Sequence, residues 1–168
     1  HALIRDPELL VFLEKNTHGI RNLEADIIER IVSDSVAIKS DVVNQDERES
    51  GMRRILNFGH TFGHAVEHMQ RISHGEAVSI GMVLAAEISM QKGLLTSGEV
   101  ERIKQILVTL KLPISSTADP VRLFDAIRKD KKRESNIVHF VLLGGIGHAV
   151  LESMELSDLK THFERVAN

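Results

Sequence analysis

Cysteine, tryptophan and tyrosine are all absent from this chain of 168 residues. Without cysteine the protein can form neither a disulfide framework nor a thiolate metal site, so His, Asp and Glu are the strong metal ligands that remain. The lack of cysteine is also typical of a reducing compartment, and we therefore expect the protein to be cytoplasmic.

Long apolar runs and basic clusters are missing as well. No apolar stretch reaches the roughly 18 residues of a membrane span, and the first residues lack the basic head and apolar stretch of a signal peptide. The formal net charge is −3, and no basic stripe interleaved with aromatic residues occurs. The sequence therefore predicts no membrane and no nucleic acid partner. Because it opens on His1 rather than Met, we expect it to be the inner part of a longer protein.

Apolar residues make up 42% of the chain, which is enough for one ordinary hydrophobic core. We predict a single domain over residues 1–168, mainly α-helical, with a short β-hairpin near the C-terminus. Capping signals and apolar residues at a period near 3.6 predict helices over 6–16, 22–43, 73–93, 97–110, 119–128 and 157–166. The helix over 73–93 is nearly all small or apolar, so we expect it to be the buried central helix. Strands at 137–143 and 148–151 flank a glycine-rich turn and predict the hairpin.

Two glycines divide a further helical pattern over residues 51–70. Each of Gly59 and Gly63 costs about 1 kcal/mol relative to alanine in a helix interior. We therefore expect this helix to be interrupted or opened there, and we expect the backbone to come close to a neighbouring element.

Four histidines lie within the 22 residues of "LNFGHTFGHAVEHMQRISHGEA". On a helix His60, His64 and His68 would share one face, with neighbouring Cβ atoms about 6 Å apart, which suits a divalent ion. A turn could also bring His74 back over His60. An HxxxH pair can arise on a soluble helix without any metal, but the added histidine and the paired glycines favour a site. The scattered histidines are expected to be ordinary surface or hydrogen-bonded residues: His18, His139, His148 and His162.

The run "LNFGHTFGHAVE" followed by "HGEAVSIGM" resembles the signature of the 3-dehydroquinate synthase family. The resemblance extends to "LIRDPELL", "DERESGMRRILNFGHT", the "DKK" at 130–132 and "GGIGHAV". In that family an NAD-binding N-terminal domain precedes a helical domain that binds metal and substrate, and this chain resembles only the second. The family converts 3-deoxy-D-arabino-heptulosonate 7-phosphate, a phosphorylated sugar acid, to 3-dehydroquinate and phosphate in the shikimate pathway. The resemblance implies NAD in the full-length enzyme, a divalent metal such as zinc or cobalt, and a homodimer.

The resemblance also implies roles for individual residues. His60 and His74 would be the metal ligands, which replaces the helical pair of His60 and His64. His64 would instead lie near the substrate phosphate or transfer protons. Glu49 would also serve in proton transfer. Further substrate contacts are implied for Lys39, Arg53, Asn57 and either Lys131 or Lys132. Glu67 could orient a metal ligand or form a plain salt bridge on its helix, and both alternatives stay open.

Part of the family's site is expected outside these residues. The resemblance places a metal-binding glutamate and a substrate lysine just before the segment that aligns with His1. No glycine-rich loop connects a strand to a helix here, so no residue of the chain is predicted to bind NAD. We therefore expect the chain alone to be inactive.

Two alternative functions differ from this hypothesis. The chain could belong to another sugar phosphate cyclase or to a metal-dependent alcohol or glycerol dehydrogenase, which share the two-domain plan. It could also be a non-catalytic helical domain that only associates with partners. The metal content of the protein and the sugar phosphate that a full-length version consumes would distinguish these possibilities.

Overall fold

The computed structural model describes residues 1–46, 51–131 and 137–167, and it has the predicted mainly helical fold with one hairpin. In chain order the elements are α1 (Ala2–Arg5), α2 (Pro7–Lys15), α3 (Thr17–Arg21), α4 (Ala25–Gln45), a 3₁₀ helix (Met52–Asn57), α5 (His60–Gln70), α6 (His74–Gln91), α7 (Ser97–Thr109), α8 (Pro120–Lys131), β1 (Ile137–Leu143), β2 (Ala149–Glu155) and α9 (Leu156–Ala167). In these described parts no helix is both long and apolar enough to cross a membrane.

The N-terminal helices follow the capping signals with two additions. The Asp6 carboxylate accepts hydrogen bonds from the backbone N–H groups of Glu8 and Leu9, and Pro7 occupies the first turn of α2 as predicted. The short helices α1 and α3 were not predicted, because four or five residues are too few to show a period. The sequence could thus locate capped helices but not single turns that packing holds in place.

Helix α4 is amphipathic in sequence but only lightly covered. It starts at Ala25, three residues after the predicted start, and its fully buried residue is Val42. Val32 is 55% exposed and Val36 is 58% exposed. The predicted apolar face is therefore present, but within the described residues most of it is not packed into the core.

The predicted interruption of the helix over 51–70 lies at the first of its two glycines. A 3₁₀ helix ends at Asn57, Gly59 adopts a left-handed φ of +81°, and α5 then runs without a break through Gly63. Gly59 is suited to this conformation because it has no Cβ. Gly59 therefore interrupts the helix, whereas Gly63 leaves room for a neighbouring backbone.

That space is used where α5 crosses α6. A Cβ on Gly63 would lie 3.1 Å from Val78 Cα, and a Cβ on Gly81 would overlap the Gly59 carbonyl oxygen and lie 2.7 Å from Gly63 N. The expectation of close backbone approach at both sequence-predicted glycines is confirmed. Gly81, on the opposite helix, is the third member of this crossing.

Helix α6 is the buried central helix, as predicted. Ser73 caps it through a capping box with Glu76, and the helix ends at Gln91, just before Gly93 with its φ of +73°. It packs against α5, α7, β1 and α9. Nine of its residues are buried, so the hydrophobic core of the domain is built around this one element.

One predicted start is confirmed and one predicted strand needs correction. Helix α7 starts at Ser97 as predicted, and Thr96 caps it through a capping box with Glu99. Strand β2 runs over Ala149–Glu155 and pairs antiparallel with β1 from Leu143↔Ala149 to Ile137↔Glu155. It is longer than the predicted 148–151, because pairing with the buried β1 carries it through the polar residues that follow.

A buried serine joins the central helix to the end of the first strand. Ser89 Oγ donates to the Ala85 carbonyl at 2.7 Å and accepts from the Leu143 backbone N–H at 3.0 Å. Ser89 and Leu143 are both fully buried. The hydroxyl therefore satisfies a backbone donor that water cannot reach.

Replacing this serine should destabilise the fold. We expect Ser89→Ala to lower the free energy of unfolding by about 1–3 kcal/mol, the usual cost of leaving a buried donor without a partner. Urea unfolding followed by circular dichroism would measure it, since the chain has no Trp or Tyr. The exposed Ser97 provides a matched control, and Ser97→Ala should change the free energy by less than about 0.5 kcal/mol. Equal unfolding midpoints for the two variants would contradict the expectation.

Candidate metal centre

Three imidazole rings from two helices lie against one another. The ring centroids of His60 and His74 are 5.3 Å apart, those of His60 and His64 are 5.6 Å apart, and those of His64 and His74 are 5.9 Å apart. The structure thus brings His74 back over His60, as the sequence allowed. His68 lies on α5 with His60 and His64. It is exposed and makes no ring contact with the three clustered histidines among the described residues.

Two helix starts position the outer members of this cluster. His60 is the first residue of α5, after the left-handed Gly59, and His74 is the first residue of α6, after the capping residue Ser73. Arg71 ends α5 with a φ of +51°, so the chain reverses within three residues. The glycine crossing then holds the two helix starts side by side.

Both helix-start histidines have one ring nitrogen occupied. His60 Nδ1 lies 3.3 Å from the Phe58 carbonyl oxygen, and His74 Nδ1 lies 2.9 Å from Glu67 Oε2. A carbonyl oxygen and an ionised carboxylate can only accept, so each contact requires a proton on Nδ1. In the neutral ring Nε2 then carries the lone pair, which is the form that binds a metal.

The surroundings of His60 favour the neutral form of its ring. Burial lowers the pKa of His60, and repulsion from the imidazoles of His64 and His74 adds to this effect. The hydrogen bond from His74 in turn lowers the pKa of the Glu67 carboxyl below its usual value. A half-buried ring that stays neutral keeps its lone pair available to an ion.

The donor set is suitable for a metal but incomplete. Within residues 1–46, 51–131 and 137–167, no group of three or more His, Asp or Glu side chains is arranged to hold an ion. Two imidazoles with orienting partners nevertheless fit a divalent cation such as zinc or cobalt. The arrangement could therefore supply part of a coordination shell, and a further ligand has to come from elsewhere.

Two of the predicted substrate contacts lie just before this cluster. Asn57 ends the 3₁₀ helix, and its backbone carbonyl faces the ring of His60. Arg53 is half-buried, and its backbone N–H donates to Asp46 Oδ2 at 3.0 Å, while Gly51 N–H donates to the same oxygen at 2.9 Å. Asp46 is only 6% exposed. This buried anchor was not predicted from the sequence, although an Asp at a helix end can accept hydrogen bonds from nearby backbone N–H groups.

The remaining predicted site residues are less closely connected to the rings. Lys39 lies on the exposed side of α4. Lys131 is the last residue of α8, and Glu49 and Lys132 fall outside the described residues. Helix α8 packs against α5, and a cavity of about 360 Å³ between them is lined by His64, Glu67 and His68 on one side and by Ala126 and Ile127 on the other. The end of α8 that carries Lys131 therefore belongs to the helix that forms this wall.

Three of the four scattered histidines have ordinary hydrogen-bond partners. His18, His139 and His162 form hydrogen bonds with the side chains of Asn22, Ser153 and Gln91, respectively. Each partner is a neutral polar group. For these three, the contacts agree with the expectation of ordinary surface or hydrogen-bonded residues.

Known proteins resemble this chain over almost its whole length. The family model for the C-terminal part of 3-dehydroquinate synthase matches residues 1–133. The 3-dehydroquinate synthase of Paenarthrobacter aurescens is 40% identical over 99% of the chain, and that of Pelobacter propionicus is 44% identical over 96%. These matches cover 47% and 46% of the two relatives, so the chain spans about half of their length.

Solved structures of related enzymes have the same fold. The 2-epi-5-epi-valiolone synthase ValA from Streptomyces hygroscopicus, with NAD⁺ and Zn²⁺ bound, superposes with a TM-score of 0.83 at 26% identity, covering 99% of this chain and 48% of that one. A 2-deoxy-scyllo-inosose synthase complexed with carbaglucose-6-phosphate, NAD⁺ and Co²⁺ gives a TM-score of 0.69 at 25% identity, covering 82% and 40%. Sequence and fold therefore agree that this chain belongs to the 3-dehydroquinate synthase family and corresponds to the C-terminal part of its members.

Proposed function

We propose that this chain is the metal- and substrate-binding part of an enzyme that converts 3-deoxy-D-arabino-heptulosonate 7-phosphate to 3-dehydroquinate and phosphate. This is the lyase reaction for which the relatives at 40% and 44% identity are named. In the whole protein an NAD-binding domain would precede these residues. The reaction would belong to the shikimate pathway. The whole enzyme would be a cytoplasmic homodimer.

The observation that supports this proposal best is the pairing of two helix-start histidines. His60 and His74 come from different helices, and their ring centroids are 5.3 Å apart. In each ring Nδ1 lies against a hydrogen-bond acceptor. Such an arrangement leaves both Nε2 atoms for one ion, which the bare helical pair of His60 and His64 does not explain. His64 has no hydrogen-bond partner for its ring among the described residues, which suits a group that exchanges protons with a substrate.

A divalent ion held by His60 and His74 would lower the pKa of the substrate hydroxyls and orient one of them for hydride transfer to NAD. We assign zinc to this position, with cobalt as the alternative, and a glutamate from the segment before His1 as the third ligand. The two structural relatives were solved with Zn²⁺ and Co²⁺, respectively, beside NAD⁺.

The chain's own residues would hold the multiply anionic substrate. Arg53 presents a planar guanidinium suited to a carboxylate or phosphate, and Asp46 fixes the backbone that carries it. Asn57 would donate a polar contact, and Lys39 with Lys131 or Lys132 would add positive charge. Glu49 and His64 would move protons.

A second candidate is another sugar phosphate cyclase. The TM-score of 0.83 with the valiolone synthase supports this candidate, because enzymes of both kinds share this fold. The higher identity to the dehydroquinate synthases, 40–44% against 26%, favours the first candidate. Because related cyclases share a fold, the substrate that is consumed has to decide between them.

Reconstitution from two halves would test the proposal. The part of the Pelobacter propionicus relative that precedes the matched region is produced separately and mixed with this chain, zinc and NAD. We expect slow phosphate release from 3-deoxy-D-arabino-heptulosonate 7-phosphate that requires both halves. Turnover should be low at micromolar concentrations, because surfaces between domains of one chain are usually modest in size.

His60→Ala provides the inactive control for this mixture, and other sugar phosphates provide the substrate controls. Release from a different sugar phosphate would favour the second candidate. A mixture that binds zinc and NAD but releases no phosphate from any of them would contradict the assignment as a cyclase.

A further inference from the structure

A carboxylate on α5 reaches across to the first residue of α6. Glu67 Oε2 lies 2.9 Å from His74 Nδ1, although the two residues belong to different helices. Glu67 follows His60 by seven residues and His64 by three, so all three side chains share one face of α5. The contact therefore joins the α5 face of the cluster to its α6 member, and it is not a salt bridge within one helix.

His74 depends on this contact more than His60 depends on its own. The backbone of His74 is held by the capping box between Ser73 and Glu76, but its side chain is 54% exposed. The half-buried ring of His60 is restrained by packing and by the Phe58 carbonyl. Besides its contacts with the rings of His60 and His64, the His74 ring has the Glu67 carboxylate as its hydrogen-bond partner among the described residues.

We propose that Glu67 is a positioning residue that holds His74 with its proton on Nδ1 and its lone pair on Nε2. The proposal rests on the assignment of His74 as a metal ligand in the preceding subsection. A neutral histidine in water prefers the opposite tautomer, with the proton on Nε2, and that form cannot offer Nε2 to an ion. A carboxylate acceptor at Nδ1 reverses the preference and fixes the plane of the ring.

The tautomer of His74 can be read without any metal. In the ¹⁵N-labelled, metal-free chain at about pH 8, where free imidazole is neutral, ring nitrogen shifts report which nitrogen carries the proton. His74→Gln identifies the His74 signals by removing them. We expect the wild-type chain to show predominantly Nδ1–H, Glu67→Gln to keep it because an amide oxygen also accepts, and Glu67→Ala to shift towards Nε2–H.

A variant at a second carboxylate near His74 distinguishes the effect of the hydrogen bond from the effect of negative charge alone. Glu76 lies two residues from His74 and bonds to Ser73, not to the ring. Glu76→Gln removes the same charge while keeping an acceptor for the capping box, and it should leave the tautomer of His74 unchanged. An equal shift in Glu76→Gln and Glu67→Ala would overturn the proposal, as would a wild-type tautomer in Glu67→Ala.

Zinc titration provides the second readout. We expect Glu67→Ala to weaken zinc binding by about 10–100-fold, the usual effect of losing a partner that orients a ligand, and Glu67→Gln to weaken it much less. Unchanged zinc affinity in Glu67→Ala would overturn the positioning role. If the wild-type chain bound no zinc while Glu67→Ala still shifted the tautomer, the metal assignment would fail and the control of His74 by Glu67 would stand.

Discussion

Gly81→Ala should lower the free energy of unfolding by about 3 kcal/mol or more, with a fall in Tm of roughly 6–12 °C for a domain of this size. The added Cβ would overlap the Gly59 carbonyl oxygen and approach Gly63 N to 2.7 Å. Both obstacles are backbone atoms, so no side chain can rotate away to relieve the overlap. Helices α5 and α6 would have to separate, and thermal unfolding followed by circular dichroism would measure the cost.

This expectation runs against helix propensity. Alanine is better than glycine in a helix interior by about 1 kcal/mol, so a loss of stability has to come from the crossing. Gly75 is the matched control, because it lies on the same helix and a Cβ there meets nothing within 4 Å. Gly75→Ala should leave the stability unchanged or raise it slightly. For Gly63→Ala, where the nearest atom would lie 3.1 Å from the added Cβ, we expect a free energy of unfolding between those of Gly81→Ala and Gly75→Ala.

The same variant should also impair the metal centre. Gly59 immediately precedes His60, and the helix crossing sets the 5.3 Å separation between the rings of His60 and His74. We therefore expect Gly81→Ala to bind zinc more weakly than Gly63→Ala under conditions in which both are folded. A Gly81→Ala protein with wild-type Tm and zinc affinity would show that the two helices can separate without cost.

Removing either proposed ligand should abolish measurable zinc binding. His60→Ala and His74→Ala each delete one of two imidazoles, and the loss should exceed the roughly 10–100-fold effect of losing an orienting partner. His64→Ala should largely keep the metal, because no acceptor occupies Nδ1 of that ring among the described residues. Calorimetric titration with zinc at about pH 7.5 would compare the three variants with the wild-type chain.

His68→Ala is the control for losing an exposed imidazole from α5. It should bind zinc like the wild-type chain, since His68 makes no ring contact with the cluster in the described structure. The opposite pattern, in which His64→Ala loses the metal and His74→Ala keeps it, would mean that the helical pair of His60 and His64 is the site. Wild-type affinity itself should fall below about pH 6, where free imidazoles protonate.

Local signals in the sequence were sufficient for much of the fold. Asp6 with Pro7, and Ser73 with Glu76, mark helix starts that the structure has at the same positions. Strand β1 has the predicted bounds of 137–143, and the mostly apolar segment after Ser73 is the buried helix. These features depend on neighbours within four residues or on a simple period, and a single sequence contains that information.

The candidate site depended on information of a different kind. The spacing of His60, His64 and His68 indicated one helical face, and the resemblance to the family was needed to select His74 instead of His64. The sequence allowed Glu67 either a helix salt bridge or a role beside a ligand, and only the structure shows it at His74. Neither Gly81 nor the Phe58 carbonyl was recognised from the sequence as part of this arrangement.

By itself, the sequence determined the starts of the capped helices α2 and α6, which helix is buried and which kinds of side chain are available to bind a metal. The tertiary structure alone decided that α5 and α6 cross at Gly81, so that the rings of His60 and His74 meet and Glu67 reaches one of them. The physical reason is the distance along the chain over which each kind of signal acts. Caps and periods act within one or two helical turns, whereas the partners of a side chain on another helix depend on how closely two backbones can approach.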